Sequence, residues 1–237
     1  MADFLVFQLY GPLASWGDIA VGEYRPSFVH PSKSAIVGLL AAALGIRRDE
    51  EEKQKALADA CQYAVRIDAM GTLLRDYHTA QVPPSKKGKI RYTRKAELAN
   101  ENLNTILSTR DYRCDAAYTV AICLRDDYRY TVQMLAEALR KPVFTLYLGR
   151  KSCPLALPLC PVVVTVENFR EAFENMPCAS LDLPGIPEET TGVYWEDGVD
   201  SGYGKDHIIT RRDMLLSRKR WQFAERRECY SGNQREE

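Results

Sequence analysis

Apolar and polar positions alternate along the chain in a way that predicts an ordered set of elements. Phe4 to Tyr10 is apolar and β-prone and is closed by Gly11-Pro12, which predicts a strand. After a loop over 11–31, Ser32-Lys33-Ser34 offers caps for an apolar helix over Ala35 to Leu44, with Gly45 at its stop. Asp49 and Glu52 have capping-box spacing for a short helix ending near Ala60. Tyr63, Val65 and Ile67 alternate with Ala64, Arg66 and Asp68, and Tyr118, Val120, Ile122 and Leu124 alternate with Thr119, Ala121 and Cys123. Both stretches predict half-buried strands. Val132, Leu135, Ala136 and Leu139 mark one face of a helix that stops before Pro142, and Val143 to Leu148 predicts a last strand closed by Gly149.

The fold class expected from this order is α+β: a ferredoxin-like (RRM-type) βαββαβ palm with one small added helix. Between its second and third strands lies a stretch without strong periodicity, at about 70–115. A segment of that length in a compact domain needs a function or a partner, and a long β-hairpin thumb fits it. The palm is expected over 1–153. From 154 to 237 the chain reads as a smaller irregular extension packed on the palm. Within it Val162 to Val166 predicts a strand, Asn168 to Asn175 a helix, and Thr191 to Trp195 with Asp206 to Thr210 a hairpin. A basic tail from Arg211 to Arg227 follows.

Composition narrows the function. The chain has 237 residues, of which 46% are hydrophobic and 27% charged, enough for an ordinary core without staples. No apolar run is long enough for a membrane span, and Met1 to Tyr10 lacks a basic n-region, so neither a membrane nor a signal peptide is expected. Seven cysteines without a CxxC pair, and three histidines without HxH or HxxxH spacing, predict no metal and no cofactor. The cysteines read as small buried groups in a reducing cytoplasm.

The formal net charge is zero. Its distribution is uneven, however. From Arg75 to Arg113 nine basic residues face four acidic ones. Within that segment Lys86, Lys87, Lys89 and Arg91 surround Gly88 and precede Tyr92, the mixture of cations and an aromatic that suits single-stranded nucleic acid. The N-terminus of the first helix, with Lys33 and Ser34, has the makings of a phosphate site, though a plain N-cap needs the same residues. Gly149 followed by Arg150, Lys151 and Ser152 lets backbone and charge approach a ligand together. At the thumb root, His78 beside Tyr77 could serve metal-free RNA cleavage, or simply structure or stacking.

Several of these pieces together resemble a known family. Gly11-Pro12-Leu13-Ala14-Ser15-Trp16-Gly17, Arg25-Pro26, Pro31-Ser32-Lys33-Ser34, Gly38-Leu39-Leu40 and Leu44-Gly45-Ile46 resemble the N-terminal signature of the CasD family. CasD is the type I-E member of the fifth family of CRISPR-associated proteins. Leu74 to Thr79, Tyr112 to Ala116 and Pro142 through Tyr147 to Leu155 match in order.

The resemblance implies an RNA-binding, non-catalytic subunit of a Cascade surveillance complex. It would hold the 5′ handle of the CRISPR RNA, cap the filament of backbone subunits, and lie near the large subunit that reads the protospacer-adjacent motif. Target DNA would be met only through the complex. Carried over, the RNA contacts are Trp16, Arg25, Lys33, Ser34, Arg75, Tyr77, His78, Arg110, Arg113, Arg150, Lys151 and Ser152. Lys86, Lys87, Lys89 and Arg91 join them on charge alone. The type I-C branch of the same family cuts repeat RNA without metal, and that alternative would use His78 and Tyr77 as catalytic residues.

Overall fold

The computed structural model describes residues 1–84, 90–99, 102–125, 129–176 and 192–232. In order, the elements are β1 (Ala2–Tyr10), β2 (Leu13–Ala14), β3 (Trp16–Gly17), β4 (Tyr24–Arg25), β5 (Ser27–Phe28), α1 (Lys33–Ala43), α2 (Glu51–Ala60), β6 (Cys61–Ala69) and β7 (Thr72–Val82). They continue with α3 (Arg94–Leu98), β8 (Asn104–Cys114), β9 (Ala117–Leu124), α4 (Val132–Arg140), β10 (Val162–Val166), α5 (Phe169–Glu174), β11 (Gly192–Glu196), β12 (His207–Ser217) and β13 (Gln222–Gly232).

The main sheet has seven strands in the order β10-β1-β9-β6-β11-β13-β12, and every neighbouring pair is antiparallel. β1 is buried on both faces. Leu5, Phe7 and Leu9 enter the core under α1, α2 and α4, while Phe4 and Val6 meet α5 through Phe169 and Phe173. That double burial explains why β1 reads as a continuous apolar run rather than an alternating one. β9 sorts its residues by size. Tyr118, Val120 and Ile122 fill the larger core, and small Ala121 admits α5 on the other side.

α1 begins as its caps predict, with Ser32 Oγ accepting from the Ala35 amide at 3.2 Å. α2 lacks the capping box. Its N-cap is Glu50, whose carboxylate instead accepts from the Arg47 amide at 2.8 Å and from Lys53 at 2.5 Å.

The structure corrects two expectations. Val143 to Leu148 is not a strand of the sheet. The amides of Val143 and Phe144 donate to the Ala43 and Ala42 carbonyls at 3.0 and 3.2 Å, in the last turn of α1, where intrahelical donors run out. The place beside β1 is taken by β10, to which the chain is led by the Gln8 amide on Leu159 and the Ala156 amide on Tyr10. Next, β11 and β12 are not partners. β13 lies between them and pairs with both. The main sheet takes strands from beyond residue 153, with β10 adding to β1 and β11 to β6.

The basic tail is the β12/β13 hairpin, and two of its seven basic residues, Arg211 and Arg226, turn inward. Arg226 donates to Asp213 at 2.6 and 2.9 Å and to Glu228 Oε1 at 2.5 Å, an oxygen that also accepts from the Tyr63 hydroxyl at 2.5 Å. Arg211 and His30 lie 3.7 and 3.2 Å from Glu228 Oε2. All six of these side chains are buried.

Candidate nucleic-acid interface

β7 and β8 pair over eleven positions, from Thr72 with Cys114 to Val82 with Asn104. At roughly 3.4 Å per residue the ribbon is about 35 Å long. No residue of β7 is buried, and Leu73, Leu74, Tyr77, Ile106 and Leu107 are exposed on the ribbon. It leaves the body through Gly71, whose φ of +63° and close approach to the Cys114 carbonyl exclude a side chain. Lys86, Lys87 and Lys89 lie outside the described residues. Arg91 is half-buried and Tyr92 exposed.

The ribbon's root is where the chemistry gathers. β4 runs parallel to β8 and sets Arg25 beside Arg110. Arg75 reaches across from β7 and grips Asp111 with two bonds, 2.9 Å from Nε and 3.1 Å from Nη2. Tyr24 closes the group. Its hydroxyl donates to Asp111 at 2.7 Å and accepts from Arg75 at 2.9 Å. Asp111 is 2% exposed, and the Arg75 hydrogen bonds hold its carboxyl below the ordinary range, so it remains a carboxylate. Arg75 is thereby neutralised.

Arg150 arrives from the other side. Its guanidinium lies 4.9 Å over the Tyr112 ring and donates to the Arg25 carbonyl at 3.3 Å. Gly149 makes that approach possible, because with φ +80° a Cβ there would sit 1.9 Å from the Ser15 carbonyl. Lys151 and Ser152 are exposed at the tip of the same turn. Among the described residues, Arg25, Arg110, Arg113 and Arg150 make no ion pair with a carboxylate. Arg113 Nε and Arg150 Nη1 are buried donors without an acceptor among those residues. Such donors are uncommon in a folded protein and suit an anion arriving from outside.

Other expected contacts fall elsewhere. Trp16 is 1% exposed, and its ring packs edge-on against Tyr118 in the core, out of reach of a ligand. The N-terminus of α1 is already occupied. The Lys33 amide donates to Asp213 at 2.8 Å and Lys33 Nζ to Glu196 at 2.7 Å, so an internal carboxylate stands where a phosphate was expected. Ser34 is half-buried and shares a hydrogen bond with Ser32 at 3.1 Å.

Tyr77 and His78 are consecutive on a strand and therefore face opposite sides of the ribbon. His78 Nδ1 lies 3.9 Å from the Asp76 carboxylate. Among the described residues no cluster of His, Cys, Asp or Glu could hold a metal, and no helix is long and apolar enough to cross a membrane.

Sequence reasoning missed Tyr24 and Asp111, which organise the root, and also Arg48, Arg218 and Trp221 on the far side of Gly149. The last group carried a legible signal: Arg218-Lys219-Arg220-Trp221 interleaves cations and an aromatic just as the thumb does.

The chain is of the class that joins a largely antiparallel α+β body to a long exposed β-ribbon with arginines at its root. Comparison with known proteins makes the class specific, and the chain belongs to the CRISPR-associated protein family Cas5. The family model described as "CRISPR-associated protein (Cas_Cas5)" matches residues 4–229. The CRISPR system Cascade subunit CasD of Escherichia coli (strain K12) is 36% identical over 234 residues, covering 95% of this chain and 94% of that protein. A chain of a solved CRISPR RNA-guided surveillance complex superposes with a TM-score of 0.68 at 24% identity, covering 97% of this chain and 89% of its own length, and shows the same fold. A crystal structure of a Cas protein matches at 0.63 and 27% identity, covering 97% and 94%.

Proposed function

We propose that this chain is a non-catalytic RNA-binding subunit of a type I-E Cascade complex, cytoplasmic and active in antiviral defence. It holds the 5′ handle of the CRISPR RNA, caps the backbone filament and contacts the large subunit that reads the protospacer-adjacent motif. In this reading β10-β1-β9-β6 is a ferredoxin-like palm in the order fourth, first, third, second, and β7/β8 is its thumb. Likeness to the E. coli Cascade subunit supports the complex.

The observation that carries RNA binding is the ribbon root: Arg25 lies beside Arg110, Arg150 donates to the Arg25 carbonyl, and Arg113 and Arg150 each have a buried donor without an acceptor among the described residues. Neutralised phosphates are what such a cluster lacks. The opposed directions of Tyr77 and His78 weigh against the endoribonuclease alternative.

The test is co-purification of CRISPR RNA with the assembled complex carrying Arg25, Arg110 and Arg150 changed to Glu. RNA occupancy falls at least tenfold if the root holds the handle, and unchanged occupancy refutes the reading. Repeat RNA incubated with the purified chain in EDTA remains whole. A discrete product that His78→Ala abolishes would establish the enzyme instead.

A further inference from the structure

Next to Gly149 a cleft of 780 Å³ opens between α1 and the β12/β13 hairpin, with Arg48 in its lining. It falls within the size range of small-ligand sites. Its charged lining is mostly cationic: Arg48, Arg211, Arg212 and Arg218 against two carboxylates. Those carboxylates are engaged internally. Asp213 binds Arg226 and the Lys33 amide, and Asp18 accepts from the Ile19 amide at 2.8 Å. Arg211 is held by Glu228, and Arg212 donates to the Phe223 carbonyl at 3.3 Å.

Arg218 is different. Its guanidinium lies over Gly38 of α1, where a Cβ would come within 3.0 Å of it, and it has neither a carboxylate nor a hydrogen-bond acceptor among the described residues. Burial, followed by the charge of Arg48, pushes its pKa below the ordinary value, a penalty that a bound anion would relieve. Arg48 and Arg218 converge on one ring, 5.2 and 4.5 Å from the centre of Trp221.

Trp221 is itself out of place for a structural residue. It is 57% exposed and sits at φ +58° in the turn between β12 and β13. Glycine or asparagine is expected there, and a bulky side chain in that conformation is strained. The turn therefore tolerates strain to present an indole beside two unpaired guanidinium groups. An indole face with adjacent cations is the arrangement that stacks a base while neutralising its phosphate.

We propose that this cleft is a second RNA subsite, which takes one unpaired nucleotide with its base against Trp221 and its phosphate on Arg48 and Arg218. The inference rests on the RNA-binding reading above. It extends the path of the strand from the ribbon root, past Arg150 and Gly149, to the opposite end of α1.

Trp221 can be observed selectively, since Trp16 and Trp195 are buried. Titrating the full chain with a short single-stranded oligoribonucleotide should change tryptophan emission saturably and protect it from iodide. Trp221→Gly removes the ring and relieves the backbone, so its melting temperature should hold or rise while RNA affinity falls roughly 5- to 150-fold. Arg218→Gln should weaken binding and flatten its salt dependence.

The subsite is overturned if Trp221→Gly and Arg218→Gln bind RNA as the native chain does while the ribbon-root variant does not. That pattern leaves the proposed function standing. Retention of RNA by both sets of variants overturns both readings. Equal protection by inorganic phosphate alone overturns the base-stacking role, and equal protection by polyglutamate points to an acidic protein segment instead. A chain whose emission RNA never alters has no such subsite.

Discussion

Replacing Glu228 by Gln removes one charge from the most enclosed part of the molecule while keeping its shape. Glu228 is 0% exposed, takes hydrogen bonds from Tyr63 and Arg226 on Oε1, and faces His30 and Arg211 on Oε2. In the variant Arg226 keeps Asp213 as a carboxylate partner, while Arg211 loses the carboxylate it faces. Breaking a buried pair from one side costs about 3–5 kcal/mol, a large fraction of a total stability of about 5–15 kcal/mol. For a chain of this size that corresponds to a fall in melting temperature of about 6–20 °C.

The pH dependence provides a second reading of the same group. Burial alone would raise the Glu228 pKa, but His30, then Arg226 and Arg211, outweigh it and hold the carboxyl far below its ordinary value of 4.5. A group more acidic in the folded chain contributes stability in full above its unfolded pKa and loses it as pH falls toward the folded one. Native protein should therefore lose stability progressively below about pH 5, and Glu228→Gln should lack that part of the acid limb. Urea unfolding at neutral pH and across the acid range measures both. A loss under about 1 kcal/mol at neutral pH, or an unchanged acid limb, would refute the view that this network is held by its charges.

Gly149→Ala combines a left-handed backbone with a Cβ 1.9 Å from the Ser15 carbonyl, so it should destabilise by more than about 1 kcal/mol and displace Arg150. Thermal melting and RNA binding should fall together, and a variant with native affinity would show that Arg150 is not positioned by this turn. Asp111→Asn should release Arg75 from its bidentate partner at a cost of about 1–3 kcal/mol, yet steepen the salt dependence of RNA binding by roughly 0.7 in log–log slope. An unchanged slope at an unchanged fold would mean that Arg75 does not reach the phosphates.

The pattern of these residues shows which kinds of information lie in the sequence. β1, β6, β9, α1 and α4 were legible because their periods and stops are local. Val143 to Leu148 misled because an apolar extended segment satisfies carbonyls at a helix end as readily as it joins a sheet. The α1 N-terminus misled for the opposite reason. Its caps were read correctly, but the carboxylate that fills it, Asp213, lies 180 residues away in sequence. The same distance hides the meaning of the basic tail. In β12, Arg211, Asp213 and Leu215 point inward while Arg212, Met214 and Leu216 point out, so the period of two is present but polar residues on both faces disguise it. Counting Arg211 and Arg226 as internal partners of Asp213 and Glu228 leaves the net charge at zero, so it is the placement of the remaining arginines, and not the total, that favours a polyanion. The buried charges cancel one another inside, while among the described residues arginines without an ion pair gather at the ribbon root and in the cleft beside Trp221, joined by the turn that carries Gly149 and Arg150.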